Sequence, residues 1–328
     1  MPPPLVSIKS KELKITINPQ VGGTVTSIVH MATGLSVLGQ VPWDPAESPI
    51  GSFGARDEAH WLTRYTGGWP LLFPNGGDAC TVDGVFHGFH GEASISPWEC
   101  GASASSLTLR RRFFTVPVEM ERELSVDGEW FTIRESLRMM GEKPVDVMWG
   151  HHPTFGSDLL AGPIEISSGG RKVSVDDTFD PVANPLLPGS KDDWPVVSGK
   201  TGPFDLRHPS GRISAAAYLS GFGRAWIAMR RLDDAIAIVL SWDAKRFPCA
   251  WIWFELGGTA EAPWFGRGNV IGLEPNTTEP GMGIANAKTR GSHLLRLLPG
   301  DEHETTLRLH VFKPSGPILE PGADGAGK

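Results

Sequence analysis

Cysteine is scarce in this chain. Cys80, Cys100 and Cys249 are the only three in 328 residues. Their spacing fits neither a zinc ribbon nor a redox Cys-x-x-Cys pair, so free thiols and a reducing compartment are expected. The first residues, Met1-Pro2-Pro3-Pro4-Leu5, lack the basic start and apolar core of a secretory signal. No apolar run approaches the ~20 residues of a membrane-spanning helix. The expectation is a soluble cytoplasmic protein with no membrane partner. Gly-x-Gly-x-x-Gly and P-loop patterns are absent, which removes support for a nucleotide cofactor. Basic charge is also short, with a net charge of −7 and a pI near 5.8. The densest basic run, Arg110-Arg111-Arg112, sits in a strand-like stretch and reads as part of a solvated face. No nucleic-acid partner is expected.

Helical periodicity is scarce too. Asp57 to Tyr65 is the one short stretch that reads as a helix. What is abundant is Gly (40), Pro (28) and Trp (12), a composition of many short strands and turns. The clearest period is two. In 118–126 the apolar residues Val118, Met120, Leu124 and Val126 alternate with Glu, and after Asp127-Gly128 the alternation resumes through Met139, which predicts a β-hairpin. Strands are expected before it (106–115) and after it (145–149). A second meander is expected over 213–254, with a turn at Asp233-Asp234, and a last strand at 307–311. Residues 174–203 read as long loops. No composition break or repeat divides the chain. The fold class is therefore all-β, a large antiparallel β-sandwich forming a single domain over 1–312 with a disordered Pro/Gly/Ala-rich tail over 313–328.

Three segments carry the candidate chemistry. Asn269-Val270-Ile271-Gly272-Leu273-Glu274-Pro275-Asn276-Thr277 puts a carboxylate at the end of an apolar run, before a Pro expected to leave the strand. Gly272 is expected to admit a ligand close to the backbone. Gly150-His151-His152-Pro153-Thr154-Phe155 sets two His side by side, on opposite faces if extended. His87-Gly88-Phe89-His90-Gly91-Glu92 offers two His-Gly pairs. Together they resemble the aldose 1-epimerase (galactose mutarotase-like) family. That resemblance implies a β-supersandwich over roughly residues 10–312. It also implies a catalytic Glu in a Glu-Pro setting, one His from a His-Gly motif and one from a His-Pro-Tyr-Phe motif. Glu274 matches the first. His152 matches the last, with Thr154 in place of Tyr. His90 is preferred over His87 because Trp98-Glu99 stands at the family's distance after it.

The implied activity is anomer exchange of a hexose without cofactor. Glu274 as carboxylate takes the proton of the C1 hydroxyl, His152 as imidazolium gives one to the ring oxygen, and His90 holds the sugar. Both catalytic groups need pKa values near the working pH, so Glu274 should be partly desolvated. Trp69, in a Gly/Pro-rich loop, and Trp253 are candidates for stacking on the sugar. Asp78, Asp205, His87 and His151 are candidates to line the site. Relatives that act on hexose 6-phosphates carry Arg where this chain has Thr66 and Ser94, so an unphosphorylated or lightly modified hexose is expected. Two alternatives remain. One is a non-catalytic sugar-binding protein. The other is a metal-dependent isomerase or lyase using the His cluster, although no metal-ligand spacing calls for it.

Overall fold

The strict alternation of 118–139 becomes the longest hairpin of the protein. Strand Val118–Asp127 pairs antiparallel with Trp130–Met139, in register from Val118 opposite Met139 to Asp127 opposite Trp130. The turn between them is closed by Gly128 at φ +55°. The computed structural model describes residues 5–45 and 54–319. Among them two eight-stranded sheets dominate, and the named strand pairs are all antiparallel.

The first large sheet runs Ile164–Ser168, Ala225–Arg231, Ala237–Trp242, Glu302–Phe312, then the hairpin, then Ser106–Arg112 and Glu99–Ala102. The second runs Lys191–Asp193, Lys172–Val175, Ile213–Ser220, Cys249–Leu256, Asn269–Asn276, Gly150–His151 and Leu71–Leu72, with Thr154–Gly156 also on Asn269–Asn276. One apolar core joins them. Phe131 and Ile133 of the first sheet share it with Ile252, Phe254 and Leu273 of the second. A four-stranded N-terminal sheet, from Val6–Lys9 to Leu35–Ser36, contributes Ile8, Ile15 and Ile28 to the same core.

The expected meander over 213–254 is not one. Its inner two strands pair with each other in the first sheet, while its outer two, Ile213–Ser220 and Cys249–Leu256, pair in the second. Alternation alone does not report which sheet a strand joins. The expected loop region 174–203 carries only short strands. The chain past 312 is not wholly outside the domain, because Ile318 is buried with Trp226, Val239 and Phe312. Residues 320–328 of the expected tail lie outside the described residues.

Within the hairpin, Arg122 and Glu135 fall in phase with the apolar positions, directly opposite each other. Both are fully buried, with Arg122 Nε 2.7 Å from Glu135 Oε1. Trp149 Nε1–H donates to Glu135 Oε2 at 2.9 Å. Burial alone would raise this carboxyl, but His151 and Arg122 outweigh it and hold Glu135 down at about 2. The reading of Arg110–Arg112 as a solvated run holds for Arg110 and Arg112, which pair with exposed Glu121 and Glu119. Arg111 instead turns inward onto the fully buried Glu92 at 2.9 Å.

Two α-helices are present among the described residues. Helix α1, Glu58–Leu62, starts where Asp57 caps the His60 N–H. Helix α2, Gly283–Arg290, has no counterpart in the sequence reading. It ends at Gly291 in the left-handed conformation, and Ile284 seats it against Leu72 and Met148. No helix among the described residues is long and apolar enough to cross a membrane.

Candidate active site

A cavity of about 410 Å³ lies on the outer face of the second sheet, under α1. Its floor comes from two neighbouring strands, Cys249–Leu256 and Asn269–Asn276, with Glu274 opposite Trp251 and Gly272 opposite Trp253. The period of two sorts their side chains. Ala250, Ile252, Phe254, Ile271 and Leu273 enter the main core. Trp251, Trp253 and Glu274 face the cavity.

Two details of this floor differ from expectation. Pro275 does not end its strand, which continues to Asn276. On the side toward 149–153, the Leu273 and Thr277 N–H groups bond the Pro153 and Trp149 carbonyls. Pro275, which has no N–H to give, falls between them, where the strand Gly150–His151 has broken off. Gly272 serves the protein rather than a ligand. A Cβ there would overlap Glu274 Oε1 and sit 3.1 Å from Cδ, so the bare glycine makes room for the carboxylate two residues on.

His152 stands beside Glu274. Its Nε2 is 3.5 Å from Glu274 Oε1, and both side chains are buried. Nδ1 of His152 is 3.0 Å from the Thr154 hydroxyl, which in turn lies 2.6 Å from the Tyr65 hydroxyl. A buried chain thus runs Tyr65–Thr154–His152–Glu274. The Tyr missing from the His-Pro-Thr-Phe segment is supplied as a phenol by the stretch just after α1. Glu274 Oε2 has no hydrogen-bond partner among the described residues.

His90 completes the wall. Its backbone is left-handed at φ +57°, and the Gly77 N–H donates to its Nδ1 at 2.9 Å. Nδ1 must therefore be the acceptor, which leaves the proton on Nε2 as a donor. The His90 and His152 rings meet edge to face at 5.3 Å.

Burial controls the charges here. It pushes Glu274 well above the usual carboxyl range and His152 down to about 4. His90 is driven well down, by burial first and by His152 second. Tyr65 is raised, chiefly by burial. Burial thus disfavours the charged form of both members of the Glu274–His152 pair. The sequence reading asks for a partly desolvated Glu274, and burial acts on that carboxyl in the raising direction.

The remaining candidates divide. Asp78 and Trp253 line the cavity, with Glu274, His152 and His90. Four others do not. Trp69, expected to stack on a ligand, is wholly inaccessible in the main core and donates its indole N–H to His151 Nδ1 at 3.1 Å. His151 faces that core, as the alternation requires, with Nε2 3.2 Å from Glu135 Oε2. His87 lies in the Cys80–Val82/Val85–His87 hairpin, away from the lining. Asp205 sits opposite Val196 and pairs with Arg207.

Sequence reasoning passed over Trp61, Tyr65 and Trp264, all on the cavity wall. The first two had a signal: they sit at i and i+4 of the expected 57–65 helix, one face of it. Trp61 Nε1–H donates to Ser94 Oγ at 3.0 Å, so an indole occupies the neighbourhood of Ser94. No group of three or more His, Cys, Asp or Glu among the described residues is arranged to hold a metal ion.

No protein-family model matches the chain, and no curated protein matches it at a significant level. Solved structures do. The Slr1438 protein from Synechocystis sp. PCC 6803 superposes with a TM-score of 0.67 at 17% identity, over 95% of this chain and 96% of that one. A protein from Escherichia coli K12, provisionally assigned as an aldose 1-epimerase, gives 0.66 at 15%, over 95% and 99%. A galactose mutarotase-like protein from Lactobacillus casei ATCC 334 gives 0.64 at 16%, over 94% and 100%. The chain therefore has the galactose mutarotase-like fold, and at such identities the likeness speaks to fold alone.

Proposed function

We propose that the cavity is the active site of an aldose 1-epimerase that interconverts the anomers of an unphosphorylated hexose. The observation that carries this reading is the buried pair His152 Nε2–Glu274 Oε1 at 3.5 Å, on the floor of an aromatic cavity. Anomer exchange needs one group to take the C1–OH proton while another gives a proton to the ring oxygen, and the same pair run backwards to reclose the ring.

In the bound cyclic sugar, the C1 hydroxyl and its neighbours solvate the Glu274 carboxylate in place of water. The proton crosses the short contact to His152 Nε2, which tightens with the ligand in place. Glu274 then accepts the O1 proton as His152 gives its own to the ring oxygen. The C1–O5 bond breaks, and the open aldehyde is left above an uncharged pair. Rotation about C1–C2 and reversal of both transfers give the other anomer. The burial that raises Glu274 and lowers His152 favours the uncharged distribution. The Tyr65–Thr154 hydroxyls fix the His152 ring through Nδ1, and the Nε2–H of His90 donates to a sugar oxygen.

Two features support an unphosphorylated substrate. Neither Lys nor Arg lines the cavity among the described residues, and the Ser94 hydroxyl is engaged by Trp61. A dianionic phosphate would lose its water with little in return. The test is anomer exchange of glucose and galactose by magnetisation-transfer NMR, with wild type, Glu274→Gln and His152→Asn. Exchange above the buffer rate that both substitutions abolish supports the reading. Sugar binding without exchange would leave a binding protein on the same fold.

A further inference from the structure

The cavity is larger than anomer exchange of a single ring requires. At the packing density of a protein interior a hexose fills roughly 200 Å³, half of a cavity of about 410 Å³. The floor shows where the surplus lies. Trp251 stands opposite Glu274 and Glu255 opposite Val270, so four residues of strand, about 13 Å, separate the backbone rows that carry the two carboxyl groups. Glu274 leans along its strand toward Gly272, where the missing Cβ leaves room for Oε1. Glu255 leans away from Glu274, since a Cβ on Gly268 would lie 2.5 Å from its Cγ and 2.9 Å from its Oε1. Trp253, opposite Gly272, stands between the two. A pyranose whose C1 and ring oxygen meet Glu274 and His152 occupies one end of this floor, and the remaining volume lies toward Glu255.

Glu255 is set up at that far end as a fixed acceptor. It is buried, yet it borders the cavity. Thr259 holds both of its oxygens: the Thr259 N–H donates to Oε1 at 3.1 Å, and the Thr259 hydroxyl donates to Oε2. The Ser214 hydroxyl lies 3.0 Å from the Thr259 hydroxyl. Because the latter gives its proton to Glu255, Ser214 donates to it and fixes it in turn. A carboxylate has about four acceptor sites, so each Glu255 oxygen keeps one free, in an orientation set by Thr259. Two such sites side by side match the two O–H donors of neighbouring sugar hydroxyls. Trp264 meets Trp253 here at 5.6 Å and 64°, which extends the aromatic wall along the same stretch. We propose that the preferred substrate is a reducing disaccharide, its reducing ring at Glu274 and His152 and a pair of adjacent hydroxyls of its second ring bonded to Glu255. The second subsite rests on the cavity itself, and only turnover of the disaccharide rests on the anomerase reading above.

The test measures anomer exchange of glucose, maltose, cellobiose and lactose by NMR at pH 7, with wild type, Glu255→Gln and Thr259→Val. A parallel calorimetric titration compares methyl maltoside and methyl cellobioside with methyl glucoside, since none of these glycosides can turn over. At least one disaccharide should show kcat/KM about tenfold or more above glucose. The gain should lie in KM, because bonds to the second ring are the same before and during ring opening. Glu255→Gln should lower kcat/KM for that disaccharide more than for glucose, and Thr259→Val should do the same by releasing the carboxylate. If glucose is exchanged and no disaccharide is handled better, the anomerase reading stands and this proposal is overturned, whether or not the variants fold. An advantage that survives Glu255→Gln overturns it as well. If no sugar is exchanged but a methyl disaccharide binds about tenfold more tightly than methyl glucoside and Glu255→Gln cancels the difference, the second subsite stands and the anomerase reading fails.

Discussion

Gly272→Ala tests the site through a residue that touches no substrate. A Cβ at 272 would overlap Glu274 Oε1 and crowd Cδ at 3.1 Å and Cγ at 3.3 Å. The three nearest atoms all belong to the flexible Glu274 side chain, so the side chain can give way before the backbone does. Gly272 sits mid-strand, where Ala is favoured over Gly by roughly 0.5–1 kcal/mol. The variant should therefore fold, with a Tm at or near that of wild type. To leave van der Waals overlap, the carboxylate must retreat by about 1 Å. A displacement of that size at a proton-transfer group costs on the order of 10²-fold in rate. The loss should appear in kcat, because the cavity walls that bind the sugar are unchanged. The assay is anomer exchange by NMR, paired with thermal unfolding by circular dichroism. A variant that keeps its rate within about threefold of wild type would refute the claim that the glycine positions the base.

Glu274→Gln should abolish exchange yet raise the Tm of the free protein at pH 8. A carboxyl raised by burial loses folding stability as pH climbs from its ordinary value through its raised one, about 1.4 kcal/mol per unit traversed; the gain should shrink toward pH 4.5, and its absence at pH 8 would contradict the uncharged pair. His152→Asn should abolish exchange and also flatten the acid side of the Tm profile. A buried His held at about 4 against an ordinary 6.5 leaves more protons on the unfolded chain, so stability falls as pH drops from 6.5 to 4; a slope unchanged by the substitution would count against it. His151→Asn should act on stability instead, by stripping a partner from Glu135 and Trp69, at about 2–4 kcal/mol in denaturant unfolding; a stable but inactive variant would reverse the two roles. Tyr65→Phe should cost about 1 kcal/mol of stability and move the pH profile of kcat, since His152 loses the hydroxyl chain that orients it; an unmoved profile would make the chain merely structural.

The hairpin, the strand list and the all-β class were legible because each rests on a local period of two, and a half-buried strand writes that period into its own residues. Arg122 and Glu135 were legible too, had phase been followed through charge: they occupy apolar-phase positions facing each other across the predicted turn. The allotment of strands to sheets was not. Ile213–Ser220 and Ala225–Arg231 are adjacent in sequence and joined by a short turn, yet they belong to different sheets. Nothing in either strand's pattern marks the crossing, which is set by which apolar faces close the core together. Helix α2 was hidden for a related reason: it is held by Ile284 docking on Leu72 and Met148, and carries little apolar periodicity of its own.

At the site, the sequence separates the two histidines by strand parity alone, which holds wherever the segment is extended. Trp69 shows the limit of that kind of argument. Its Gly/Pro-rich surroundings read as an exposed loop, but Gly67 and Gly68 are there so that the backbone can press against Gly39 and Val25, and the indole beside them is driven into the core. Glycine reports close approach, not exposure, and only the partner tells which surface is approached. Gly272 repeats the point, since its partner is the Glu274 carboxylate. The state of the mobile proton lies further still from the sequence. Glu and His side by side read naturally as an ion pair, and in water they would be one. Here burial acts against both charges at once, while their attraction across 3.5 Å is a single interaction. The balance between an ion pair and an uncharged pair is thus set by burial, a property contributed by residues that never touch the proton.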